Sequence, residues 1–227
     1  MTRPMLARLA TPLLLSLACA VVSVVLFAWL AEEMLEGDTT QFDAAVRQFV
    51  HAHSSARLTA VMDFFSLLGS PLFVSIAAAA GCIALWVAGR RSKAVLLAVT
   101  AIGGGLLMWI LKMSFHRQRP EPFFDTRLPA SYSFPSGHAL LSFCLFGAGA
   151  ALLAADQKKR WVRVTIWTIA ALLVMAIGYS RIYLGVHYPS DVLAGYLGAL
   201  VWVLGVGYYS QRSAVMGSTL VARRAGR

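Results

Sequence analysis

The chain has 227 residues, of which 59% are hydrophobic and 13% are charged, and its formal net charge is +10. So apolar a composition excludes an ordinary water-soluble domain and is typical of a protein that crosses a membrane several times. The positive charge does not indicate nucleic-acid binding, because the basic residues are not interleaved with aromatic side chains and instead follow the loops between apolar segments.

The apolar segments are long enough to cross a bilayer, for which an α-helix needs about 20 residues. We therefore predict an all-α polytopic membrane protein with six transmembrane helices. It forms a single domain over residues 1–227, with basic cytoplasmic tails at 1–11 and 211–227. The six predicted spans are residues 12–31, 72–88, 94–112, 139–155, 162–179 and 192–209.

The first span begins like a secretory signal peptide, because Arg3 and Arg8 precede the apolar run. That run is longer than the apolar core of a signal peptide, and Ala18, Cys19 and Ala20 lie in its middle instead of at its end. We therefore expect a retained transmembrane helix.

An amphipathic segment is predicted between the first two spans, in the longest stretch outside the membrane. Phe42, Val46, Phe49 and Val50 recur there at helical spacing, with polar residues between them. The pattern favours an interfacial helix lying on the outer leaflet, with an ordinary packed surface helix as the alternative.

A second apolar stretch follows at residues 58–68 and stops at Gly69-Ser70-Pro71. This tripeptide combines a helix stop with a helix restart. The stretch is therefore either a separate interfacial helix or a bent extension of the second span.

The first polar motif joins Lys112, at the end of the third span, to Arg119-Pro120. A charged side chain at the centre of a span costs about 2.5–3.5 kcal/mol, so Lys112 needs a partner or a route to water. If the side chain of Lys112 snorkelled to the membrane interface, the charge would be satisfied without any partner. If the helix continues for two more turns, Arg119 faces the same point, and Pro120 then turns the chain away. Two converging cations favour a bound anion such as phosphate.

The second motif, Pro135-Ser136-Gly137-His138, directly precedes the fourth span. Ser136 is placed as the N-cap of that helix, where free backbone N–H groups bind phosphate oxygens. Gly137 lets an anion approach without a side chain in the way. A simple helix cap explains the serine but not His138.

The third motif contains Ser180-Arg181, His187 and Asp191. His187 and Asp191 are one helical turn apart, and Pro189 between them suits a first helical turn. The carboxylate can then hold one imidazole nitrogen as N–H and leave the other unprotonated. A plain surface ion pair is worth only about 0.3–0.5 kcal/mol and hardly explains a carboxylate at a membrane span. The planar guanidinium of Arg181 suits phosphate.

Basic loops alternate with loops that carry nearly all the acidic residues. By the positive-inside rule the basic segments are cytoplasmic, so both termini are inside and all three motifs lie at the external face. In a bacterial inner membrane this is the periplasmic side. The basic residues concerned are Arg3, Arg8, Arg90, Arg91, Lys93, Lys158, Lys159, Arg160, Arg163, Arg212, Arg223, Arg224 and Arg227.

The loop between the first and second motifs carries four more charged residues, which we interpret as rim residues that contact a headgroup. They are Arg117, Glu121, Asp125 and Arg127.

Written as patterns, the three motifs are K-x6-R-P, P-S-G-H and S-R-x5-H-x3-D. Eleven specified positions in this order and spacing are a strong signal. The chain resembles the type 2 phosphatidic acid phosphatase superfamily, whose members include bacterial membrane lipid phosphatases, secreted acid phosphatases and vanadium haloperoxidases. The motifs span residues 112–191, and the hydropathy pattern extends the likeness to most of the chain.

The resemblance implies a role for each motif residue. His187 would be the nucleophile that forms a phosphohistidine, Asp191 would orient it, and His138 would protonate the leaving oxygen. The residues implied to bind the phosphoryl group are Lys112, Arg119, Ser136, Gly137 and Arg181.

The predicted activity is removal of a terminal phosphate from a membrane lipid, with no metal or cofactor. Candidate substrates are undecaprenyl diphosphate, phosphatidylglycerophosphate and phosphatidic acid. Apart from the substrate and the bilayer, the sequence indicates no nucleic-acid partner and no obligate protein partner.

The alternative is a lipid phosphotransferase, in which an acceptor hydroxyl intercepts the phosphohistidine. A transporter is disfavoured because transport sites lie near the bilayer midplane, whereas the three motifs are predicted to lie at one face. Vanadate-dependent oxidation is disfavoured by the lipid-embedded body of the chain.

Overall fold

The computed structural model describes the backbone of residues 3–124 and 128–225 and the side chains of residues 14–124 and 128–210. The side chains of the predicted tails, 1–11 and 211–227, and the predicted rim residues Asp125 and Arg127 lie outside the described residues. Within the described ranges there are eight α-helices and no strands. The helices are α1 (Arg3–Glu36), α2 (Thr40–Ala52), α3 (Ala56–Leu68), α4 (Pro71–Val87), α5 (Arg91–Phe115), α6 (Gly137–Ala155), α7 (Arg160–Tyr183) and α8 (Pro189–Ala225).

Five helices are long and apolar enough to span a membrane, and a bent pair of helices provides a sixth span. The five are α1, α5, α6, α7 and the first part of α8. The sixth is α3 followed by α4, with a bend of 50° between them. The predicted multi-pass, all-α architecture is therefore confirmed.

The bend occurs at Gly69-Ser70, where the sequence shows a helix stop and restart. Ser70 caps α4 by accepting a hydrogen bond from the backbone N–H of Phe73, and Pro71 occupies the first turn. A side chain at position 69 would collide with Ile177 and crowd His138. Residues 58–68 thus lie in a helix of their own, α3, which is joined to α4 through this bend.

Helix α2 packs a face of mixed polar and apolar residues against the protein, and not the whole predicted apolar stripe. Asp43 and Val50 are buried, whereas Phe42 is 51% and Phe49 67% exposed. The predicted stripe is therefore divided, because Val46 and Val50 contact the protein while the two phenylalanines point outward. This arrangement leaves an aromatic face on α2 that is free to meet the membrane surface.

The centre of the bundle is α6, which packs against α5, α7 and α8, while α1 packs against α8. Small residues let these helices approach closely, as is usual in membranes. A side chain at Gly195 of α8 would meet the Ser136 carbonyl oxygen at 2.7 Å. The N-terminal turn of α6 is therefore held directly against α8.

The two ends of the bundle differ in chemistry. At one end, Asp156 pairs with Arg90 and with Lys93, whose Nζ lies 2.6 Å from the carboxylate. This ion-pair group joins the α4–α5 loop to the α6–α7 loop. The alternating direction of the helices places all three motifs at the opposite end.

Candidate active site

The structure brings together all eight predicted site residues at one end of the bundle. They come from the end of α5, the loop after it, the start of α6, the end of α7 and the turn into α8. His138 lies near enough to interact electrostatically with Lys112, Arg119, Arg181 and His187. One pocket can therefore present three cations and two imidazoles to a single anion.

His187 is paired with Asp191 in a buried environment. The Nδ1 atom of His187 lies 3.2 Å from Oδ2 of Asp191, and both residues are at most 1% exposed. The carboxylate accepts a hydrogen bond from Nδ1–H, which leaves Nε2 unprotonated. Burial lowers the pKa of His187 below the usual imidazole range. The hydrogen bond to Asp191 raises this pKa, but by less than burial lowers it. The resting imidazole is therefore neutral and nucleophilic.

Arg119 reaches His187 from the loop after α5. Its Nη1 atom lies 3.1 Å from His187 Nε2 and donates to the Val186 carbonyl at 2.9 Å. The helix does not continue to Arg119, because α5 ends at Phe115 and His116 adopts a left-handed conformation with φ of 49°. The loop nevertheless delivers the guanidinium to the site. Burial lowers its pKa, and Asp191 opposes that effect.

Lys112 is buried at the end of α5 and does not snorkel outward. Its ammonium group donates to the backbone carbonyls of Tyr132 and, at 3.4 Å, Ser133. The chain that precedes α6 is therefore anchored to α5 through this lysine. The same contact places one positive charge beside Gly137, since a side chain there would lie 3.7 Å from Lys112 Cε.

Arg181 is 6% exposed and enters the site from α7. Its Nη1 group donates to Ser66 on α3, while its buried Nε finds no acceptor among the described residues. An unpaired buried guanidinium nitrogen is costly unless an anion completes it. The arrangement suits a phosphoryl oxygen.

Ser136 is the N-cap residue of α6, as predicted, but its side chain does not cap the helix. Its buried Oγ lacks a hydrogen-bond partner in the described part of the chain. The hydroxyl and the free N–H groups of the first turn are thus available for an anion. His138 follows in the same turn, half-buried and with no hydrogen bond to a described residue.

Known proteins share both this sequence pattern and this fold. A model of the PAP2 superfamily matches residues 93–214. The chain belongs to that superfamily. It is 36% identical over 110 residues to phosphatidylglycerophosphatase B of Bacillus subtilis, a match that covers 45% of this chain and 51% of that protein. The chain thus spans about half the length of this relative.

Two further relatives of the PAP2 type cover more of the chain. An undecaprenyl-diphosphatase of Sulfolobus acidocaldarius is 29% identical over 161 residues, which is 69% of this chain and 72% of the relative. The crystal structure of a transmembrane PAP2-type phosphatidylglycerolphosphate phosphatase from Bacillus subtilis has a TM-score of 0.76 and 25% identity. That alignment covers 85% of this chain and 96% of the other.

Several residues outside the three PAP2 motifs also touch the site, and motif reasoning missed them. Ser133 Oγ donates to Asp191 Oδ2. Arg117 is not a rim residue as expected, because its guanidinium donates to Asp191 Oδ1 at 2.7 Å. Asp43 on α2 is 1% exposed and accepts a hydrogen bond from Arg117. The polar face of α2 was a visible signal, but its partners lie too far away in sequence to be identified.

Proposed function

We propose that this protein is an integral membrane lipid phosphatase that works through a phosphohistidine on His187. The observation that carries the proposal is the neutral, Asp191-bound His187 facing three cations and a second histidine. Three cations exceed the charge of about −2 on a phosphate monoester, so the protein itself supplies the electrostatic stabilisation that the transfer needs. No step requires a metal or cofactor.

In the first step, His187 Nε2 attacks phosphorus and the bond from phosphorus to the lipid oxygen breaks. His138, in its protonated form, donates a proton to that leaving oxygen. Arg119 Nη1, now 3.1 Å from His187 Nε2, must move from the imidazole to a phosphoryl oxygen as substrate binds. Lys112, Arg181 and the first turn of α6 hold the remaining oxygens.

In the second step, His138 accepts a proton from water as the water oxygen attacks the phosphohistidine. The nitrogen–phosphorus bond breaks, inorganic phosphate leaves, and both histidines return to their starting states. Asp191 stabilises the imidazolium that exists between the two steps. A lipid phosphotransferase would differ only in using an acceptor hydroxyl in place of water.

An apolar groove between α4 and α5 supports a lipid substrate. It encloses about 420 Å³, is lined by small residues such as Ala78, Ala101 and Gly105, and has Met108 near its outer end. Met108 also lies 3.6 Å from the position of a side chain at Gly137, in the phosphate site. A hydrocarbon tail lying in this groove would therefore have its phosphate at the start of α6.

The proposed substrates are the phosphates and diphosphates named on the relatives, namely phosphatidylglycerophosphate and undecaprenyl diphosphate, together with phosphatidic acid. The proposed location is the bacterial inner membrane, with the site on the periplasmic side. The separation of the basic loops from the motif end supports this orientation.

The test is phosphate release from these three lipids by the purified protein in detergent, beside His187→Ala. We expect release by the wild-type protein alone, with different rates for the three lipids. Product analysis with an added sugar-lipid acceptor separates hydrolysis from transfer, because a phosphotransferase would produce phosphorylated acceptor. Absence of release and of transfer with every lipid would overturn the proposal.

A further inference from the structure

A buried charge cluster lies next to the His187–Asp191 pair and includes two residues that the three motifs do not specify, Asp43 and Arg117. Asp43 of α2 and Asp191 of α8 are at most 1% exposed, and the side chain of Arg117 between them is 13% exposed. Arg117 also lies 4.0 Å above the ring of Tyr188. Three charges have therefore been removed from water at one point.

Arg117 bridges the two carboxylates with different nitrogens. Nη1 donates to Asp191 Oδ1 at 2.7 Å, and Nη2 donates to Asp43 Oδ2 at 2.8 Å. Asp43 is fixed in turn by Ser190, whose backbone N–H and hydroxyl donate at 3.0 and 2.6 Å. Helix α2 is thereby tied to the first turn of α8, beside the residue that orients the nucleophile.

Simple packing does not account for this arrangement. Burying ion pairs costs desolvation energy, and apolar residues of similar volume often stabilise a fold as well or better. The bridge instead accounts for the orientation of the carboxylate that binds His187. Arg117 donates to Oδ1 of Asp191, while Ser133 Oγ and the Tyr188 backbone N–H donate to Oδ2. These donors together hold the carboxylate in the orientation in which Oδ2 also accepts a hydrogen bond from His187 Nδ1, and Arg117 is the one that holds Oδ1 by its charge.

The charge of the cluster also fits the reaction. Two carboxylates and one guanidinium leave one negative charge while His187 is neutral. When His187 is phosphorylated, its imidazolium balances that charge. Without Asp43, Arg117 would cancel the charge of Asp191, and the imidazolium would form without net compensation.

We propose that Asp43 and Arg117 are positioning residues for the His187–Asp191 pair, and that α2 is thus part of the catalytic apparatus. Arg117 fixes the orientation of the Asp191 carboxylate, and Asp43 fixes Arg117 and keeps the cluster negative. Neither residue contacts the phosphate. The inference depends on the proposed phosphohistidine function.

The test compares Arg117→Ala, Asp43→Asn and the control Arg47→Lys, which keeps the positive charge that acts on Asp43 and Asp191. Arg47 also lies on α2 and holds it to the same end of the molecule, but it donates to the backbone carbonyls of Glu121 and Gly185 at 2.6 and 3.4 Å. We measure kcat and KM for p-nitrophenyl phosphate and the thermal stability of each variant in detergent. Losing an orienting partner typically lowers activity about 10- to 100-fold.

We expect Arg117→Ala and Asp43→Asn to lose kcat by that factor with KM unchanged, and Arg47→Lys to retain kcat. Millimolar methylguanidinium should restore kcat of Arg117→Ala, whereas methylammonium should not, because only the planar cation can bridge two carboxylates. Unchanged kcat in the two variants, or equal loss in Arg47→Lys, would overturn the inference while leaving the proposed function intact. An inactive wild-type protein would overturn both.

Discussion

The two motif histidines differ in their surroundings, and this difference assigns their chemistry. His187 is fully enclosed and bound to Asp191 through Nδ1, so it has a fixed orientation and an unprotonated Nε2 that Arg119 contacts. His138 is half-buried and makes no hydrogen bond within the described residues. A group that must exchange protons with a leaving oxygen and then with water benefits from that freedom. The first is therefore suited to attack and the second to proton transfer.

We predict that His187→Ala abolishes both turnover and covalent phosphate labelling. In contrast, His138→Ala should retain the nucleophile and lose activity mainly on lipids with poor leaving groups. General acid catalysis contributes about 10²- to 10⁴-fold, and less of it is needed for p-nitrophenyl phosphate. Kinetics on that ester and on a lipid phosphate measure the difference. An acid-labile phosphoenzyme in His187→Ala, or equal losses on both substrates in His138→Ala, would contradict these roles.

At the scale of elements, α4, α5 and α2 determine how a membrane lipid reaches a polar site. The α4–α5 groove opens along the bundle because its walls carry small side chains. The outward face of α2 carries Phe42 and Phe49, which are both more than half exposed near the same end of the molecule. Aromatic side chains on an interfacial helix insert at the boundary of headgroups and acyl chains. We therefore propose that these elements contact the lipid tail, whereas the motifs bind the phosphate.

Filling the groove should therefore affect lipids selectively. At Gly105 a new side chain would meet no described atom within 4 Å, so Gly105→Phe can occupy the groove without a direct clash. We expect a higher KM for long-chain substrates and unchanged kinetics with p-nitrophenyl phosphate. Gly149→Phe is the matched control, because Gly149 is equally open but lines a different groove, next to Leu153 and Ile169. The same loss in both variants would argue against the groove as the lipid site.

The aromatic face of α2 gives a second prediction at this scale. Replacing Phe42 and Phe49 with Ser should weaken activity on long-chain lipid more than on a short soluble phosphate ester, since the replaced rings are exposed and support membrane contact. Activity is measured on both substrates in mixed micelles. Equal losses would mean that the two rings only stabilise the fold.

At the scale of the whole molecule, the two ends of the bundle differ in their charged residues. Basic loops and the Arg90–Asp156–Lys93 ion-pair group occupy one end, and the phosphate site occupies the other. Basic residues are retained on the cytoplasmic side during insertion. In the orientation that we propose, the site faces outward, where a lipid exposes its phosphate at the interface.

Reporter fusions test this orientation. An enzyme that is active only outside the cytoplasm should work when fused after Pro120 or Ser190 and fail when fused after Lys159. The reverse pattern would place the site in the cytoplasm.

Resistance to chelation is also expected of the intact molecule. Lys112, Arg119 and Arg181 already provide the positive charge that a metal ion supplies in other phosphatases. Phosphate release should survive excess EDTA, and vanadate, which mimics the phosphoryl transition state, should inhibit it. Loss of activity with EDTA and its recovery with magnesium or zinc would require a different mechanism.

The sequence alone was sufficient for the membrane class, the six spans and the three motif blocks. Apolar length and motif spacing are local properties, so they can be read without a fold. It also predicted which eight residues would share a site, and the structure gathers them, although their roles remain predictions. Ser136 was placed correctly at the start of α6, since a cap depends on its immediate neighbours.

Only the tertiary structure determined which residues of distant segments contact one another. Asp43 and Arg117 are 74 positions apart in the chain, and neither has a local pattern that names its partner. The end of α5 at Phe115 and the inward turn of Arg117 were likewise unpredictable, because the loop follows contacts with α2 and α8 and not the helical period. Sequence spacing thus determined the chemistry of the phosphate site. Packing of α2 against the end of the bundle determined that Asp43 and Arg117 lie next to the His187–Asp191 pair.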